Sequence, residues 1–439
     1  MKRIYLDNAA TTNIDPKVIE AMNKSHEFFG NPSSLHSFGQ GARKLIDQSR
    51  DTVADFLNCK PTEVIFTSGG SESDNLAIKG LINALRGSFD SSPKAKLLRM
   101  TTKPHVVTSA IEHHAVLHTI QDLEKEGKIE ATYVKPNKLG VIQTEDVKSA
   151  IKDNTILVSV MYVNNEVGTV QPIREIGKLI EKINLQRNKE QETITKQIPN
   201  NKSQITNKNQ SSKLKALNSE SKFSHKIYFH TDAVQAAEFF NMDTKYLHVD
   251  LLTLTAHKFH GPKGIGVLFI KKGTPIEPQI VGGDQEFRFR AGTENTSSIV
   301  GLAAAIKEVE NQRPEIKNIE KLRNKLEDSI LKNIPETYLN GDREKRSPAI
   351  LNISFKNAEG EAIILNLDFL GIAVSSGSAC TARSLDPSHV LMAMDIPREL
   401  SHGAIRFSLS RETTEDDINK VAEVLPNIIK KLREMSPFK

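Results

Sequence analysis

Cys380 stands in the run AVSSGSACTARSLDPSHV, residues 373–390, among small, polar and turn-forming residues. A structural cysteine is usually a buried small hydrophobe, and this frame buries very little. A thiol held there is placed for nucleophilic chemistry, provided the rest of the chain supplies a substrate for it. The other cysteine, Cys59 in FLNCKPTEV, falls between a helix end and a strand and reads as a plain structural or surface thiol. Two cysteines make neither a disulfide framework nor a paired zinc-binding spacing, and they point to a reducing setting.

Lys258 closes a strand pattern in TLTAHKFHGPKGIG, beside His257 and just before a Gly-Pro-Lys-Gly turn. A partly buried lysine can lose its charge by desolvation and serve as a base or a Schiff-base nucleophile. Taken alone, a loop lysine paired with a carboxylate is the commoner outcome. Asp232 ends another strand pattern, YFHTDAVQ. A buried aspartate beside a ring nitrogen keeps a pyridinium protonated, whereas an unaided aspartate at a strand end is more often a helix cap. In FTSGGSESDNLAI a strand, a Gly-Gly turn at Gly70, Ser71 and then a helix aim backbone N–H groups and a hydroxyl at an anion such as a phosphate. Each signal is weak singly, but together they are the parts that pyridoxal phosphate requires.

The elements that must position these residues alternate. Asp15 followed by Pro16 starts a helix, and the spacing of Val18, Ile19, Met22, Phe28 and Phe29 predicts that it continues to residue 29. GARKLIDQSRDTVADFLN is a second helix. EVIFTS, HVVTSA, TILVSVMYV, IYFHTDA, DLLTLTAH and GIGVLFI read as strands, with SDNLAIKGLINAL, AVLHTIQDLEKEG and REIGKLIEKI as helices among them. Strands this rich in Val, Ile and Leu imply a mostly parallel sheet covered on both faces, with ligands at the strand C-terminal ends. After two further helices, AILNISF, IAVSSGS and AIRFSLS predict a second, smaller sheet closed by the C-terminal helix TTEDDINKVAEVLPNIIKKLREM. The segment 185–225 is crowded with Lys, Asn, Gln and Ser and has no apolar period, so a mobile surface insertion is expected there.

The 439 residues are enough for two or more domains, and the net charge of +5, with much of the lysine in that one segment, argues poorly for nucleic-acid binding. The N-terminal MKRIYLDNAATT lacks a secretory apolar core. No segment approaches the about 20 apolar residues of a membrane span, so a soluble cytoplasmic protein is expected, with no membrane partner.

YLDNAATT, GNPSSLHSFG, EVIFTSGGSESDNLAIKG, VNNEVGTVQPI, HTDAVQ, HKFHGPKGIG, RAGTENTSSIVGL, SSGSACTARSLDPSHVL and IRFSLSRETTEDDI follow one another along almost the whole chain. In these motifs and their order the chain resembles the cysteine desulfurases of the NifS/IscS type, within the class-V aminotransferases. The resemblance implies an α/β, pyridoxal-phosphate-dependent transferase fold of type I: a large domain around a mostly parallel seven-stranded sheet and a smaller α+β C-terminal domain. The large domain is placed at 16–294, and the small one at 1–15 and 295–439.

Carried over position by position, the resemblance implies that Lys258 bonds the cofactor as a Schiff base and Asp232 pairs with its ring nitrogen. Gln235 and Asn165 would lie near its phenolic oxygen and the substrate. The phosphate would be held by the backbone around Gly70, by Ser71, Thr255 and His257, and by Thr293 reaching over from a second subunit, which requires a homodimer. His113 matches the ring-stacking, proton-transfer histidine, while His114 and His118 receive no role. Arg406, a lone arginine in an apolar strand, would take the substrate carboxylate through a two-pronged contact; an internal ion pair is the alternative.

The implied reaction removes sulfur from L-cysteine, leaving L-alanine and a Cys380 persulfide for an acceptor protein such as an iron–sulfur scaffold, or for thiolation. A thiolate is strongly nucleophilic even when a small fraction is ionised, and Gly and Ser around Cys380 supply the mobile tether that delivery needs. A selenocysteine lyase or cystine-cleaving enzyme shares this machinery, but the long loop favours a desulfurase; a scaffold that lost its chemistry fits less well. The ending KLREMSPFK, shorter than relatives whose tail helps dock a cluster scaffold, implies altered or weaker docking.

Overall fold

Short runs of Val, Ile and Leu build the central sheet because both of its faces are covered. The computed structural model describes residues 3–87, 103–197, 226–376 and 387–435. Its seven-stranded sheet runs in the order Val64–Thr67, Gly266–Ile270, Leu251–Thr255, Tyr228–Asp232, Thr155–Ser159, His105–Ser109 and Glu130–Val134. Gly266–Ile270 is antiparallel to both neighbours, and the other pairings are parallel. Alternate residues feed two cores: Val64 and Phe66 point to one with Val107, Val158, Phe229 and Leu254, and Ile65 points to the other with Val106, Leu157 and Leu268. That alternation is the period of a pleated strand, and the expected α/β sheet is the one observed.

The first core also takes Ile299, Leu302 and Ile306 of the helix Thr296–Asn311. A third core joins Ile4 and Leu6 to residues between Ile319 and Ile429. Around it lie the helices Ile316–Asn333, Gly360–Phe369 and Glu415–Met435 and an antiparallel three-stranded sheet of Thr337–Asn340, Ile350–Phe355 and Ala404–Ser408. The N-terminus thus crosses back to the C-terminal part of the chain.

Three expectations are corrected. The first helix is Pro16–Ser25, and Phe28 and Phe29 lie beyond it, Phe29 being 79% exposed. Gly30 approaches Phe38 so closely that a Cβ there would sit 2.3 Å from its carbonyl carbon, so the chain must turn away before residue 30. The described residues 372–376 of IAVSSGS do not join the small sheet as a strand. Ile372–Ala373 pairs in parallel with Ile4–Tyr5, and Ser375 makes one bridge to Arg406. The expected insertion at 185–225 begins too early: Ile173–Gln197 is a single helix. Arg187 anchors it, buried and donating to the carbonyls of Thr155 at 3.0 Å and Lys152 at 2.8 Å, and Lys, Gln and Glu are good helix formers. Residues 198–225 lie outside the described residues.

Gly266 shows how tightly the sheet meets the turn before the helix at Gly70. A Cβ on Gly266 would lie 2.7 Å from the Cα of Gly69, a backbone atom that cannot yield like a flexible side chain. Gly266→Ala is expected to lower stability by about 1–3 kcal/mol, the range of forced overpacking, seen as an earlier midpoint in urea unfolding.

Candidate functional site

The strand Leu251–Thr255 runs directly into a short 3-10 turn, Ala256–Lys258, which swings the lysine back over the sheet end. Lys258 Nζ donates to the carbonyls of Ala9 at 2.6 Å and Ala10 at 2.8 Å. Gln235 Nε2 donates to Ala9 as well, at 2.8 Å. Thr12 ties the same N-terminal segment to the turn, its N–H donating to the His257 carbonyl at 2.9 Å. His257 Nδ1 lies 3.2 Å from the Thr11 hydroxyl, and burial with the Lys258 charge pushes its pKa down to about 4.

Asp232 ends the strand Tyr228–Asp232, 4% exposed, with one oxygen accepting from the Val234 N–H at 2.9 Å. Burial raises its pKa, while that N–H and Lys258 favour its charged form. His113 caps the helix His114–Lys125, its Nδ1 accepting from the Ala115 N–H at 3.1 Å. That bond leaves the ring proton on Nε2, and burial with the Lys258 charge lowers its pKa to about 4, so the ring is neutral near pH 7. Asp74, His113 and Asp232 each place a nitrogen or oxygen within 4.8 Å of the others'.

Arg406 is 2% exposed. It donates to Asp7 Oδ1 at 2.7 Å and the Asn165 carbonyl at 2.8 Å, while its Nε is buried with no hydrogen-bond partner. The internal ion pair weighed as an alternative is therefore formed, and one donor of the fork is still unused. Asn164, not Asn165, fixes the adjoining turn: its Oδ1 accepts from the Glu166 and Val167 N–H groups and its Nδ2 donates to the Ile111 carbonyl.

Gly70 opens the helix Gly70–Asn75 next to Asp232's own turn, where a Cβ would meet Val234 at 3.0 Å. Ser71 is exposed. Thr255 is buried, its hydroxyl donating to the Ile265 carbonyl at 3.0 Å. Thr293 is exposed and lines a cavity with Ser68, Gly264 and Arg290. That cavity shares no lining residue with the one formed by Asn8, Ala9, Gln235 and Lys258. Lys258, Gln235, Asp232 and His113 thus meet above the sheet, and Asp7 to Ala10 link them to Arg406 and Asn165.

Cys380 lies outside the described residues, but the segments that flank it are anchored at this place. Before it, Ser375 exchanges backbone hydrogen bonds with Arg406, at 2.7 and 3.2 Å. After it, Ser388 donates to Glu166 at 2.5 Å and His389 Nε2 donates to the Glu112 carbonyl at 3.0 Å. The His389 ring also packs on His114, which stacks on His118, with centroids 4.7 and 4.5 Å apart. Asp7, Asp74, Glu112 and this histidine stack were not anticipated; only Glu112, next to His113 in sequence, had a local signal.

The sequence matches the family described as aminotransferase class-V over residues 4–186 and 201–421. The chain belongs to that family. Among curated relatives of this class-V chain, a cysteine desulfurase IscS of Clostridium botulinum is 44% identical over 441 residues, 100% of this chain and 97% of the relative. A solved NifS-like protein matches with a TM-score of 0.78 at 32% identity over 99% of each chain. SspA, solved in complex with cysteine, matches at 0.72 and 30% identity over 94% of this chain and 100% of its own. Among the described residues no helix is long and apolar enough to cross a membrane.

Glu112 precedes His113 and is fully buried; Ser109 Oγ and the Met161 N–H donate to its Oε1, while Oε2 has no partner. Burial pushes its pKa up to about 8. Its folded value exceeds its unfolded one, so its contribution to stability is complete at acid pH and lost as pH rises toward 8. Glu112→Gln is expected to flatten that decline, by up to about 1.4 kcal/mol per pH unit, in urea unfolding followed across the range.

Proposed function

We propose that the chain is a cysteine desulfurase that binds pyridoxal phosphate through Lys258 and Asp232 and passes sulfur from L-cysteine to Cys380. The observation that carries this reading is the meeting of a lysine amine, a buried carboxylate and a neutral histidine ring at the C-terminal ends of the sheet strands. The 44% identity to a cysteine desulfurase over the full chain supports it. The residues fit the cofactor: Asp232 has an acceptor for a ring N–H, His113 a flat neutral face, and the Gly69–Gly70 turn backbone donors for a phosphate, with Ser71, Thr255 and His257 around it.

Pyridoxal phosphate, when bound, makes the Cα–H of an attached amino acid acidic and accepts the resulting electron pair. Lys258 Nζ takes that proton and returns it, and Gln235 and Asn165 orient the groups beside it. His113, neutral with its proton on Nε2, would lie against the face of the cofactor ring and could move a proton at that atom. Arg406, whose Nε has no hydrogen-bond partner, would take the substrate carboxylate and so select an α-amino acid. The Cys380 thiolate attacks the substrate sulfur: an S–S bond forms, the Cβ–S bond breaks, and its electron pair stays with the carbon fragment that becomes alanine.

Thr293, exposed and apart from the Lys258 cavity, serves the site of a second copy, so the working unit is a homodimer. The persulfide then goes to a sulfur-acceptor protein in iron–sulfur cluster assembly or thiolation, in the cytoplasm. Purified protein given L-cysteine and a thiol reductant is expected to release alanine and sulfide in equal amounts. Cys380→Ala is expected to lower both by at least about 100-fold, the scale on which loss of a nucleophile acts. Turnover that survives in the variant would contradict the persulfide route and indicate a lyase.

A further inference from the structure

A second carboxyl group lies close to Asp232. Asp74, on the helix Gly70–Asn75, is 1% exposed. The Thr253 hydroxyl hydrogen-bonds it, yet its Oδ1 has no partner and sits 3.6 Å from His230 Nε2. His230 cannot neutralise it. That ring is fully buried, with Nδ1 2.9 Å from the Ser159 hydroxyl and Nε2 3.2 Å from the Thr253 hydroxyl, and burial pushes its pKa down to about 3.

Burial raises the proton affinity of Asp74, and Asp232, at the end of the strand Tyr228–Asp232, and then Glu112, on the segment leading to His113, add to it. Asp232 is better supplied, with the Val234 N–H on one oxygen and the Lys258 charge nearby. Two carboxylates so close in a dry interior cannot both ionise. The proton goes to the group with less support for its charge.

We propose that Asp74 is a positioning residue for Asp232: the two carboxyl groups hold a single proton, it resides on Asp74, and Asp232 alone stays anionic toward the site. A charged Asp74 would repel Asp232 and drive a proton onto it, turning an acceptor for a ring N–H into a donor. This inference rests on the cofactor reading above.

The test uses the full-length protein carrying Glu112→Gln, so that Glu112 does not titrate, with Asp74→Asn and Asp74→Leu added singly. Urea unfolding of the cofactor-free forms is followed from roughly pH 6 to 10, and pyridoxal phosphate affinity is measured by its absorption near neutral pH. Asn copies the shape of the protonated acid. It is expected to bind within about threefold of the Asp74 parent and to lose the decline in stability with rising pH, whereas Leu binds at least about tenfold more weakly. A tenfold loss in Asp74→Asn, or an unchanged pH slope, would overturn the proposal. If the Asp74 parent fails to take up the cofactor at all, the functional reading fails, while the pH slope still decides where the proton sits.

Discussion

Burying a carboxylate at the end of a sheet strand is the constraint on which the other features of this site depend. Asp232 is nearly inaccessible, and an isolated buried charge is costly enough that it would rather take up a proton. The fold keeps its charged form accessible by placing a peptide N–H on one oxygen and the Lys258 amine nearby. Lys258 is in turn held by two carbonyls of the N-terminal segment.

The N-terminal segment is therefore more than a leading strand. Asp7 aligns Arg406, and Ala9 and Ala10 receive Lys258 and Gln235. Thr12 holds the turn that carries His257. Because Ile4 and Leu6 are packed into the core of the C-terminal part, this strip of backbone joins the two parts of the molecule where their functional side chains face one another. The segments flanking Cys380 are docked at the same junction, one through the Arg406 backbone and the other through Glu112 and Glu166.

Much of the large sheet was legible because its strands are buried on both faces and so read as apolar runs, as in Val64–Thr67 and Leu251–Thr255. The strands Glu130–Val134 and Thr337–Asn340 were missed because each lies at a sheet edge, partly exposed and without such a run. The extent of Ile173–Gln197 was hidden for a different reason: a buried arginine bonding to carbonyls leaves no apolar signature. Arg406 could be picked out as a charge in an apolar strand, Lys258 and Asp232 by their place at strand ends together with a phosphate-type turn, and His113 only through the family motif. Asp7 and Asp74 act through residues distant in sequence, and no local pattern reveals a partner 399 positions away, as Asp7 is from Arg406.

The central claim is that the sheet brings Lys258 to Asp232, the carboxylate proposed to take the ring nitrogen. It is tested most directly by reducing the protein with borohydride in the presence of pyridoxal phosphate and mapping the labelled peptide by mass spectrometry. The account predicts a single label, on the peptide containing Lys258. A label on another lysine, or none at all, would contradict it.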